Sequence, residues 1–277
     1  MTDQPRGPFA DLHDEFNPKK LDVIAALTEA YKGAWAHLGE MVRLIWLPVV
    51  LNFVVNIVAF LLPVEGNLFL SFTLSAASMF LWAIISVAWY RFILLNETPT
   101  GSYQINFGRR EGRYFVVSIA LLLLALPTTI FAPDLPWSAS VANYMATAGS
   151  AASLVGFFFL LLAFIGLYFL IRMFLLLPAV SIDEPINVRL ILERTRGNFW
   201  RIVSLSVLSS LPVLIIYALI VATSDALSLP ATFAYVLQLV VSIFFAIVNI
   251  AVLAIVYREL IGPKGTMAAD MDRPDTI

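Results

Sequence analysis

The chain has no cysteine, which excludes disulfides, thiolate nucleophiles and cysteine-bound metals at once. Histidine is almost as scarce. His13 and His37 are the only two, they share no HExxH or other paired spacing, and they read as ordinary surface residues, so no metal or cofactor is expected. Charge is thin as well, at 13% of residues, where a soluble domain carries about a quarter. No Gly-rich phosphate loop and no GxSxG elbow occur. Asp183 and Glu184 are adjacent carboxylates in SIDEP, a stretch that reads as a cap or turn. Enzymatic chemistry is the least supported class of function.

What remains is apolar. Hydrophobic residues make up 60% of the 277 and the mean hydropathy is +0.88, which places the chain among membrane proteins. Six apolar stretches, near 44–62, 68–92, 114–131, 152–172, 202–222 and 232–256, are free of acidic residues and hold basic ones only near their ends. Each is long enough to cross a hydrocarbon layer as a helix. Runs such as FFFLLLAF and LLLLAL lack the period of two that a β-barrel strand requires.

Basic residues are also missing from alternate loops. PVEGN, APDLPWSASVANYMATAGS and TSDALSLPAT contain no Lys or Arg. All 17 basic residues lie in the N-terminal segment, the loops after the second and fourth stretches, the C-terminal tail and the adjoining span ends. The excess of positive charge on cytoplasmic loops then predicts that both termini are cytoplasmic. The same rule interprets ERTRGNFWR, residues 193–201, as the foot of the fifth span, with Arg facing lipid phosphates and Phe and Trp in the headgroup layer. With a formal net charge of −2, nucleic acid is not an expected partner.

Residues 1–18 and 261–277 read as flexible cytoplasmic tails, and the opening segment has no apolar core of a signal peptide. Between them, 19–260 forms the membrane domain. Over 19–42, Leu21, Ile24, Tyr31, Trp35, Leu38 and Val42 recur at helical spacing. This suits an amphipathic helix in the membrane interface, or one packed on the protein's own loops.

Three segments look alike. WYRFILLNETP (89–99), FLIRMFLLLPAVSIDEP (169–185) and VYRELIGP (256–263) each end an even-numbered span at an Arg. YKGAW (31–35), EGRYFVVS (111–118) and TRGNFWRIVS (195–204) each place a cation, a Gly and aromatics before an odd-numbered one. The reading is three units, each a cytoplasmic interfacial segment followed by a helical hairpin. In the third, Val188, Ile191, Leu192, Thr195 and Phe199 share one helical face, opposite Arg189, Glu193 and Arg196. The fold class is therefore all-α integral membrane, with six transmembrane helices as three hairpins.

RMFLLLPAVSIDEP followed by LERTRGNFWRIVSL resembles a recurring pattern of poorly characterised six-helix bacterial inner-membrane proteins. These are similar to the membrane domain of some glycerophosphodiester phosphodiesterases. The resemblance is strongest over about 165–210. It implies a multi-pass protein of the bacterial inner membrane with both termini inside, and it transfers no catalytic residue. The soluble phosphodiesterase domain is not represented in the sequence, so that activity does not carry over.

Two sets of candidate binding residues follow. One is a cytoplasmic collar of Arg91, Arg109, Arg110, Arg113, Arg172, Arg189, Arg194, Arg196 and Arg201 with Trp200, suited to anionic membrane lipids or to another inner-membrane protein or complex. The other is a pair of intramembrane polar stripes, Asn52 with Asn56 on the first span and Gln238, Ser242 and Asn249 on the last. These serve either inter-helical hydrogen bonding or a polar path for an amphiphile. No ionisable group sits at mid-membrane, where proton-coupled pumps typically need one. Pro212 should kink the fifth span, with Ser206, Ser209 and Ser210 placed to rebond the carbonyl it frees. Ser71, Ser75 and Ser78, and Ala152 with Gly156, read as packing seams. The expected function is a non-enzymatic accessory, assembly or membrane-homeostasis protein; the alternative is a carrier or channel for a lipid or other amphiphile.

Overall fold

The computed structural model describes residues 20–62, 67–97, 108–129 and 149–262. Both predicted tails therefore lie almost wholly outside the described residues. Within them the protein is all-helical, with no strand. The helices are α1 (Val23–Ala36), α2 (Leu38–Leu61), α3 (Leu68–Leu95), α4 (Arg109–Thr129), α5 (Gly149–Met173), α6 (Leu176–Ser181), α7 (Val188–Arg194), α8 (Phe199–Ala226) and α9 (Ala231–Leu260).

Their ends follow local chemistry. Asp22 accepts hydrogen bonds from the Ile24 and Ala25 amides at the start of α1. Asn67 and Asn187 accept from Leu70 and Leu190 at the starts of α3 and α7. These side chains occupy donors that the first helical turn leaves unpaired. The α7 cap is thus Asn187, and the SIDEP acids are left to other partners. α3 stops at Asn96, whose φ of 52° is a left-handed conformation that asparagine tolerates.

Among the described residues, five segments are long and apolar enough to cross a membrane: Val42–Leu61, Leu68–Leu95, Leu160–Ser181, Phe199–Ala226 and Ala231–Leu260. They correspond to five of the six predicted stretches. The sixth falls on α4, whose described apolar part, Tyr114 to Thr129, is shorter than the ~20 residues a spanning helix needs; the rest of that stretch lies outside the described residues. Large apolar side chains on the outer surfaces stay exposed, among them Phe72, Phe157, Leu214 and Leu219. Such a surface calls for lipid as its solvent.

The most extensively packed neighbours are the hairpins α2/α3, α4/α5 and α8/α9. α3 joins the first hairpin to α4, and α8 joins the third to α5. α9 packs on α1 and α3 and buries a long run of Ile247, Val248, Ala251, Ala254, Ile255 and Tyr257. The core lies there, around the second half of α9.

The N-terminal helix departs from the expected 19–42. It breaks at His37, and Leu38 already begins α2. Its buried stripe is Ala26, Ala30 and Ala34, which packs on α8 and α9, while Ile24 and Trp35 are exposed. Alanine wins the packed face because it brings helix backbones closest together. The larger residues cannot share that approach, so only part of the predicted apolar face, Leu21, is buried.

Candidate functional site: the basic end of the bundle

Hydrogen bonds gather the end of α3, the start of α4, the turn after α6, α7, the start of α8 and the end of α9 at one end of the bundle. The predicted collar lies here. Its arginines do not form one class.

The turn after α6 is one centre. Asp183 holds a left-handed φ of 63°, which aspartate tolerates better than most residues. Its Oδ2 lies 2.6 Å from Arg110 Nε and 3.3 Å from Arg91 Nη1. Arg91 also forks onto Glu97 at 2.6 to 2.9 Å and donates to the Ser181 carbonyl. Arg113 donates to the Glu184 carbonyl, and the Glu184 carboxylate accepts the Tyr257 hydroxyl from α9 at 2.5 Å. One turn thereby fastens α3, α4 and α9; carboxylates neutralise Arg91 and Arg110, while Arg113 stays exposed on a neutral carbonyl.

Arg172 behaves differently again. It is 5% exposed. Its Nε donates to Thr195 Oγ1 at 2.7 Å, its Nη1 to the Tyr168 hydroxyl at 2.8 Å, and its Nη2 to the Leu192 carbonyl. The guanidinium also lies over the Tyr168 ring, 5.1 Å from its centroid. None of these partners is a carboxylate. The charge is accommodated by the ring face and by the negative end of α7, where it caps the Leu192 carbonyl. Arg172 is thus turned inward.

The remaining collar residues face out. Arg189 is exposed and pairs with Glu193 one turn on, at 2.8 Å. Arg201 donates from Nη1 to the Leu21 carbonyl at 2.6 Å, and Trp200 is 68% exposed. Arg109, Arg194 and Arg196 are exposed and form no ion pair with another described residue. Sequence reasoning placed all nine arginines together but could not separate inward from outward, because partners such as Thr195 and Tyr168 carry no charge signal. It also missed Arg258, which holds Glu29 of α1 at 2.7 and 2.8 Å.

The intramembrane stripes are used mainly within hairpins. Asn52, 1% exposed, donates to Ser78 Oγ at 2.9 Å across α2/α3, and Asn56 donates to Asn52 Oδ1 at 3.0 Å. Asn249 meets Ser209 Oγ at 3.4 Å across α8/α9, and Ser242 bonds back to its own helix. Gln238 contributes its backbone carbonyl to Tyr217. Tyr235 donates to the Asn56 carbonyl at 3.3 Å and stacks on Phe60 with ring centroids 4.2 Å apart, which joins α9 to α2. An open groove of about 470 Å³ lies between α2 and α3, lined by Asn56, Ser71, Ser75 and Ser78 with Leu74 and Trp82.

The carbonyl that Pro212 leaves free is that of Leu208, four residues back, and the serines bond elsewhere. Ser209 and Ser210 both donate to the Ser206 carbonyl, and the Tyr31 hydroxyl of α1 donates to the Ser209 carbonyl at 2.9 Å. The side chains of Ala152 and Gly156 lie outside those described. Compared with protein-family models, curated proteins and solved structures, the chain matches none.

Proposed function

We propose that this chain is a non-enzymatic, six-span protein of the bacterial inner membrane with both termini cytoplasmic. It acts as an accessory, assembly or membrane-homeostasis protein whose basic face engages anionic lipids or a membrane partner. The observation that carries the reading is the division of the collar. Cations needed to hold the bundle are bonded internally, whereas Arg109, Arg194 and Arg196 remain exposed with no ion pair to a described residue. Several cations at an anionic surface each contribute on the order of 1 kcal/mol. The sixth span of this reading is the apolar stretch 114–131, which begins in α4, and the absence of Lys and Arg from alternate loops supports the orientation. The resemblance to six-helix inner-membrane proteins supports the same layout.

The test is gentle purification from native membranes, comparing the wild-type chain with a variant reversing Arg109, Arg194 and Arg196 to Glu. Loss of co-purifying anionic lipid or of a stoichiometric membrane protein is expected. Unchanged recovery of both sinks the reading.

A second reading, carrier of a lipid or other amphiphile, is favoured by the α2/α3 groove, which places Asn56, Ser71 and Ser75 beside open apolar surface. It predicts that replacing Asn56, Ser71 and Ser75 with apolar residues abolishes lipid flux in reconstituted vesicles while the protein stays folded.

A further inference from the structure

Resting on the reading that the basic face meets anionic lipid, we infer that one corner of it, formed by Lys20, Arg194, Arg196, Trp200 and Arg201, is a binding site for the phosphate of an anionic phospholipid. The Asp183 corner is not such a site.

Charge separates the two corners. Around Asp183, Arg91 and Arg110 are held by carboxylates. At the α7/α8 corner, Arg194 and Arg196 have no ion pair with a described residue, and Arg201 bonds a neutral carbonyl. Lys20 is exposed beside Leu21, whose carbonyl Arg201 holds. Of the acids nearest in sequence, Glu193 is held by Arg189, whereas Asp22 caps α1 through neutral amides and keeps its charge. Four cations, Lys20, Arg194, Arg196 and Arg201, then stand against one carboxylate, and a cluster of net positive charge attracts an anion.

The frame beneath those cations is rigid. Thr195 and Asn198 are 0% and 1% exposed. Arg172 pins Thr195, and Asn198 Oδ1 accepts the Leu21 amide at 3.0 Å. Gly197 turns the chain at a φ of 79°, which a residue with a Cβ adopts only under strain. Arg194 and Arg196 therefore leave a fixed turn, and less ordering is needed when they meet a ligand.

Below the cations the surface becomes that of a lipid site. Trp200, Val207, Leu211 and Leu214 are all exposed and, at spacings of seven, four and three, lie on one face of α8. An indole at the first turn suits the headgroup level, and an apolar stripe descending from it suits an acyl chain. A soluble anion would use only the top of this surface. An acidic protein would leave the stripe uncovered.

The test uses the full chain in detergent, stripped of native lipid and titrated with phosphatidylglycerol or phosphatidylcholine under native mass spectrometry. Wild type is expected to retain phosphatidylglycerol preferentially. R194Q/R196Q, two exposed positions with no ion pair to a described residue, is expected to weaken phosphatidylglycerol binding about fivefold per cation removed and to leave phosphatidylcholine binding unchanged. R43Q, an exposed cation near the start of α2 and outside the collar, is expected to match wild type. The site is wrong if R194Q/R196Q keeps the wild-type preference, or if R43Q lowers it equally. Competition by glycerol phosphate as effective as by the intact lipid would also overturn it, since the α8 stripe would then have no part. A wild-type chain that fails to distinguish the two lipids instead removes the broader anionic-lipid reading.

Discussion

Arg172 Nε donates to the Thr195 hydroxyl at 2.7 Å, so the end of α5 is tied to the turn that leads into α8. Arg258, which also closes a hairpin, reaches Glu29 on the helix that leads into α2. In both cases the arginine at the end of one hairpin grips the segment that enters another. Such links set the angle between hairpins that otherwise meet through apolar side chains, which pack without strong directionality.

Replacing Arg172 tests the first link. Arg172→Met keeps an apolar stem but removes three hydrogen bonds and leaves Tyr168 and Thr195 without their donor. A loss of about 2 kcal/mol is expected, read from thermal or denaturant unfolding in detergent. Arg172→Lys should recover less than half, because an ammonium group lacks the planar fork.

Asp183→Asn isolates charge from backbone conformation, since asparagine accepts the same left-handed φ. Asp183 is 40% exposed, so solvent screening limits its ion pairs with Arg91 and Arg110 to about 1 kcal/mol. The difference between wild type and variant should shrink in molar salt. A salt-independent loss would mean that the carboxylate acts through shape and not through charge.

Tyr31 gives a pH dependence. Burial raises its phenol pKa above the ordinary 10.0, so the folded protein holds this proton more tightly than the unfolded chain does. Its contribution is fully present below the ordinary value and declines as pH rises past it through the folded pKa. Tyr31→Phe should flatten that part of the stability profile and cost about 1 kcal/mol at neutral pH.

Asn52→Leu removes the side-chain bonds to Ser78. Hydrogen bonds between membrane helices are modest, so a loss of about 1 kcal/mol is expected. Ser78→Ala in the same chain should add little. Fully additive losses in this double-mutant cycle would count against a shared bond.

The absence of cysteine makes single-cysteine labelling direct. Gly66→Cys and Gly108→Cys should be modified by impermeant reagents from opposite faces of the membrane. Labelling from one face would remove the orientation on which the collar's role rests.

Helical spans were legible because hydrocarbon imposes a one-dimensional rule: a long enough run without charge must close its own backbone hydrogen bonds. α2, α3, α8 and α9 follow the predicted stretches closely. α1 was less legible, since hydrophobicity points to Ile24 and Trp35 while the packed face is made of alanine. The candidate site was visible only as a list of cations. Asn52 and Asn56 are legible as candidates for inter-helical hydrogen bonds or a polar path, but nothing in their spacing names Ser78 as the partner.

Composition and charge order alone determined a helical membrane protein with its cations clustered on alternate connections, because partition into lipid depends on local sequence. Which arginines hold the bundle and which remain open to an anion was decided by tertiary structure. Arg172 and Arg194 are the same residue type on neighbouring segments. One is buried against Tyr168, Thr195 and the end of α7 and the other lies in solvent, a difference set by contacts between helices far apart in the chain.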